Sequence, residues 1–99
     1  MIKGTTPKHT FVLPFDTILV KQARVSYGQY NKEVLCKKVS DCEIEGNQIS
    51  CTLTQEETFK FDHKIPLQIQ VRIQTQDGSV ISSDIITADV DESLNQEVL

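Results

Sequence analysis

The stretch that most constrains this chain is the run from Leu67 to Thr75. Leu67, Ile69, Val71 and Ile73 alternate with Gln68, Gln70, Arg72 and Gln74. Successive side chains leave a strand on opposite sides, so a period of two marks a strand with one dry face and one wet face. A dry sheet face needs a second layer to cover it, and the rest of the chain has to supply that layer.

The turn after this strand can be chosen by parity. A two-residue loop at Asp77–Gly78 would set Ile73 opposite Ser82 and turn Ile81 and Ile85 to the wrong face. A three-residue loop, Gln76–Asp77–Gly78, ends on a glycine able to adopt the left-handed conformation of a bulged hairpin. It pairs Ile73 with Ile81 and Ile69 with Ile85, all inward. After Ile85 the apolar set moves to Ile86, Ala88 and Val90, which implies a further bulge or a change of sheet.

A second hairpin follows from Gly46–Asn47, a two-residue loop with glycine first, as a type II′ turn requires. It pairs Glu45 with Gln48, Ile44 with Ile49 and Cys42 with Cys51. Ile44, Ile49, Cys42, Cys51 and Leu53 then share the inward face. Cys42 and Cys51 fall in a non-hydrogen-bonded pair, where Cα atoms lie about 4.5 Å apart. They are therefore a possible redox pair, or else two small buried apolar groups in a reducing compartment.

The first half of the chain carries weaker alternation. Phe11, Leu13 and Phe15 share a face, Ile18 and Val20 follow a turn at Asp16, and the inward set then becomes Ala23, Val25 and Tyr27. That change of parity places a bulge at Lys21–Gln22. Gly28 to Lys32 reads as a turn leading into a strand over Glu33 to Val39. Thr54 and Glu57 form a capping box for one helical turn, and Phe59 and Phe61 suggest a short strand after it. The sum is seven or eight short strands separated by turn signals. We expect an all-β, antiparallel two-sheet sandwich of immunoglobulin or fibronectin type, a single domain over residues 1–99. Residues 1–8 read as a flexible lead and 91–99 as an acidic tail.

Composition narrows the function classes. The net charge is −4 and no basic stripe exists, which argues against nucleic acid, whose affinity rests on neutralising phosphates. No apolar run is long enough to span a membrane, and the first residues lack a signal-peptide core, so a cytoplasmic protein is expected. Three cysteines without a C-x-x-C pair suggest neither a disulfide framework nor a zinc site. His9 and His63 read as surface histidines. The acidic groups Asp41, Glu43, Glu45 and Asp89, Asp91, Glu92 lack the glycine-turned oxygen loop of a calcium site. Tyr30 is the only tyrosine left to face solvent, and the four glycines lie too far apart for a phosphate loop. We therefore expect no enzyme and no cofactor. The wet side of the alternating strand, Gln68, Gln70, Arg72 and Gln74, is the possible partner face, because uncharged amides lose little when a partner covers them.

Three stretches together carry a family resemblance: Gly4-Thr-Thr-Pro-Lys-His-Thr-Phe-Val-Leu-Pro-Phe-Asp16, Leu53-Thr-Gln-Glu-Glu-Thr-Phe-Lys-Phe61 and Ile69-Gln-Val-Arg-Ile-Gln-Thr-Gln-Asp-Gly78. The ending Glu97-Val98-Leu99 is similar too. The chain resembles, over nearly its whole length, a family of small proteins encoded in prophages and phage-like regions of Gram-positive gut bacteria, and loosely the β-sandwich that opens some baseplate proteins. The resemblance implies a structural or assembly role, with phage tail proteins or copies of itself as partners, and no reaction. The alternative expectation is a cytoplasmic accessory protein that binds a host factor or small ligand.

Overall fold

The computed structural model describes residues 1–99 as two antiparallel sheets packed face to face. The strands are β1 (Lys8–Val12), β2 (Val20–Gln29), β3 (Lys32–Lys38), β4 (Glu43–Glu45), β5 (Gln48–Thr52), β6 (Leu67–Thr75), β7 (Val80–Ser82) and β8 (Ile86–Ala88). The smaller sheet has the order β1-β5-β4. The larger runs β3-β2-β6, with β7 and β8 sharing the far side of β6. This is the all-β two-sheet sandwich that the alternation requires.

The longest strands form the middle of the larger sheet. Ala23, Val25 and Tyr27 of β2 stand beside Ile73, Val71 and Ile69 of β6, and all six are buried. Ile49, Cys51 and Leu53 close the core from the smaller sheet, with Phe61 beneath. The register of β2 against β6 slips between Val20 and Gln22, where the parity change predicts a bulge. The β6–β7 hairpin keeps the expected pairing of Ile73 with Ile81, with Gly78 at φ 89°. The β4–β5 hairpin pairs Ile44 with Ile49 across Gly46 at φ 57°.

Several local expectations are corrected. Ile85 does not pair with Ile69. Ser83 bonds Val71 through its backbone N–H and accepts the Val71 N–H on Oγ, inserting one extra residue, so that Ile86 meets Ile69 and Ile85 turns outward. Ile44 shares the face of Ile49 but is 52% exposed, because β4 is the last strand of its sheet and projects beyond the core. Ile18 sits on a 3-10 turn (Thr17–Leu19) and faces water while Thr17 is buried, its hydroxyl donating to Gly46 O at 2.7 Å. Phe59 and Phe61 form no strand. The N–H groups of Phe59, Lys60 and Phe61 bond back to Gln55, Glu57 and Thr58, continuing the turn of α1 (Gln55–Thr58) and dropping Phe61 into the core.

The turn between β2 and β3 is tighter than expected. It is only Tyr30–Asn31, both at positive φ, and the strand extends through Gly28. A Cβ at Gly28 would lie 2.6 Å from Lys32 O, so the bulge there admits no side chain. Residues 1–4, expected to be loose, are tied down. The terminal ammonium donates to Asp89 O, Lys3 N–H to Asp91 O and Gly4 N–H to Thr58 Oγ1. Gln29, itself buried, holds the 62–65 loop by accepting from Asp62 N–H and donating to the Asp62 and Ile65 carbonyls. No helix of the chain is long and apolar enough to cross a membrane.

Candidate functional site

The expected partner face lies on the outer surface of the larger sheet. Because Leu67, Ile69, Val71 and Ile73 point inward, Gln68, Gln70, Arg72 and Gln74 line up outside on β6. The register brings Gln22, Arg24 and Ser26 of β2 beside them. Arg24 and Ser26 also follow from sequence, as the positions between Ala23, Val25 and Tyr27, and Gln22 as the one before them. Val80 and Ile85 complete the face, and Ile85 reached it only through the Ser83 bulge.

Many of these polar side chains are held in place. Gln22 Nε2 donates to Gln74 Oε1 at 2.6 Å, Gln68 Nε2 to Asn31 Oδ1 at 2.9 Å and Gln70 Nε2 to Ser83 O at 3.2 Å. A shallow depression of about 270 Å³ opens between Gln22, Arg24, Arg72, Gln74 and Val80. Arg24 and Arg72 pair directly across the strands. Glu33 of β3 reaches this surface, accepting from Ser26 Oγ at 2.8 Å. A chain of net charge −4 therefore gathers two neighbouring guanidinium groups on one sheet face.

The cysteine pair lies on the opposite layer. Cys42 and Cys51 are joined Sγ to Sγ, with Cα atoms 4.8 Å apart, and Cys36 on β3 of the larger sheet is free. Cys51 is fully buried whereas Cys42 is half-buried at the margin of the core. His9 stands beside Cys51 in the β1–β5 register, and its Nδ1 lies 2.9 Å from Tyr27 Oη. It is thus half-buried on the inner side and not a surface histidine. Burial lowers the His9 pKa, helped by the nearby terminal ammonium, and burial raises that of Tyr27, helped by Glu57. Glu57 bonds Lys37 Nζ at 2.9 Å in the same region. Burial disfavours its carboxylate, but the Thr54 N–H and Lys37 outweigh this and hold its pKa below the ordinary value. Burial also pushes the Cys36 thiol up, with Glu33 adding to it.

The acidic groups are not gathered. Asp41 sits on a 3-10 turn and accepts from Lys38 N–H, Glu43 pairs with Lys8, and Glu92 contacts Lys3 and His63. No three His, Cys, Asp or Glu side chains stand close enough together to hold a metal ion. No family model, curated protein or solved structure matches the chain.

Proposed function

We propose that this chain is a non-enzymatic assembly module that binds another protein through the outer face of its larger sheet, in the setting of a phage tail or baseplate. The single observation that carries the reading is the arginine–glutamine face around Arg24 and Arg72, whose amides are already fixed by hydrogen bonds. Side chains ordered before binding lose little entropy when a partner arrives. Two guanidinium groups among neutral amides suit a partner surface of carbonyls and carboxylates, since each can make paired hydrogen bonds. The tail setting rests on the family resemblance. The joined Cys42 and Cys51 agree with a protein that works on an assembled particle outside a reducing cytoplasm.

Co-expression with the products of the neighbouring genes, followed by light scattering on the eluted species, tests the proposal. A complex with a tail component that dissolves on Arg72→Glu is expected. A chain that stays monomeric with every neighbour, or a complex indifferent to Arg24→Glu and Arg72→Glu together, would refute it.

A further inference from the structure

The two sheets do not match in width. The larger sheet is four strand positions across, β3, β2, β6 and the shared place of β7 and β8, whereas the smaller has three, β1, β5 and β4. One strand's width of the larger sheet's inner face is therefore left without a covering layer, a strip about 4.8 Å wide. Ile81 and Ile86 lie on that strip. Both point to the core side, opposite Ile73 and Ile69, yet they remain 41% and 50% exposed. A groove of about 440 Å³ runs over them, walled by Thr10 to Pro14 of the β1 end, and none of its lining residues is charged.

The wall of this groove is an unpaired strand edge. Leu13 N–H bonds Asn47 O and Leu53 N–H bonds Pro7 O, which fixes the odd-numbered residues of β1 as those that face β5. Lys8, Thr10 and Val12 therefore turn their backbone N–H and C=O groups outward, where no strand of the sheet lies. The edges on the other side of the sandwich are blunted by charge, with Lys32, Glu33, Lys37 and Lys38 on β3 and Glu43 and Glu45 on β4. Natural sheets use such charges to refuse added strands. β7 and β8 are interrupted by the Ser83 bulge, which also disfavours pairing. Only β1 offers an unbroken, nearly charge-free edge above an apolar floor.

We infer that the chain accepts an extended, uncharged segment of another protein as a fourth strand of the smaller sheet. The segment pairs with the outer edge of β1 and lays its alternate apolar side chains on Ile81, Ile86 and Phe11. A second copy is the poorer occupant. The exposed apolar strip amounts to two part-exposed isoleucines and the rim of β1, far short of the about 800 Å² that a stable dimer needs from each partner. A partner β1 arriving at this position would also bring its own overhanging β7 and β8 against the place filled by β6. An added strand draws its affinity from main-chain hydrogen bonds and its specificity from alternate side chains, so a small strip suffices. The inference shares with the proposed function only the premise of a protein partner, and it uses a different surface.

The test fuses a strand of alternating valine and threonine to Leu99 through a flexible Gly/Ser linker of about sixteen residues, so that binding occurs at millimolar effective concentration. NMR of the full fusion should show the Ile81 and Ile86 methyl resonances displaced and the Lys8, Thr10 and Val12 amides exchanging at least about tenfold more slowly than in the unfused chain. Thr10→Pro, which removes an outward N–H and, of the β1–β5 bonds, only the hydroxyl contact of Thr10 with Ser50, should abolish both effects. Ile86→Asp should do the same from the floor side. Unchanged spectra on fusion, protection gained at β3 or β4 instead, or concentration-dependent dimerisation that alone covers Ile81 and Ile86 would each overturn the inference. Loss of the tail complex by Arg72→Glu with the strand still seated would separate failure of one surface from failure of the other.

Discussion

Reduction of the Cys42–Cys51 bond gives a perturbation whose size follows from the sequence. The bond closes a loop with a separation of nine residues. Cross-linking over that span removes about 2.6 kcal/mol of unfolded-chain entropy in the loop-closure treatment. An unfolding entropy of about 2.1 cal/mol/K per residue makes this a fall in Tm of about 12 °C for a chain of this length. The reduced form should still fold, because Cys51 sits in the core as a small apolar group and Ile44 and Ile49 keep their register without the bond. Calorimetry of the oxidised and reduced protein therefore should give two single transitions separated by that interval. Thiol titration in denaturant should find one thiol, Cys36, before reduction and three after it. Three thiols in protein purified in air, or a shift below about 3 °C, would show that the bond does not constrain the chain as argued.

Three other outcomes follow from particular contacts. Gly28→Ala should lower stability by about 2 kcal/mol or more in urea titration, since its Cβ would meet the Lys32 carbonyl of the adjoining strand. Lys37→Met should cost about 1–3 kcal/mol by leaving the largely buried Glu57 carboxylate without its ammonium, and Lys37→Arg should recover part of the loss. Stability should fall as pH drops below about 6.5, because the unfolded chain binds a proton at His9 more readily than the folded one. That loss should level off below the folded-state pKa, and His9→Gln should flatten this part of the profile. Glu57 adds a second loss at lower pH, as its depressed folded pKa is passed.

The sequence discloses the layers better than their limits. Alternation over Leu67–Thr75 and the glycines of both hairpins determine register, since one slipped residue would expose a whole apolar face. Parity does not locate a bulge within a polar stretch: Ser83, Asp84 and Ile85 allow the extra residue before or after Ile85, and the choice rests on the Ser83 hydroxyl bonding Val71. Phe59 and Phe61 mislead because spacing by two also occurs in a turn that continues a short helix. The polar face proposed for a partner is half legible, on β6 from its alternation, while Ile85 joins it only through the bulge. The uncovered strip is not legible at all. Ile81 and Ile86 read as core because they point inward, and only the unequal widths of the two sheets leave them wet.

Residue-resolved hydrogen exchange along β1 tests the sandwich with its open edge most directly. The structure predicts that amides of His9, Phe11 and Leu13 are protected while those of Lys8, Thr10 and Val12 exchange freely, in strict alternation. Uniform protection from Lys8 to Leu13 would mean that the edge is already covered, and uniform exchange would mean that β1 does not pair with β5. Either result would contradict the account.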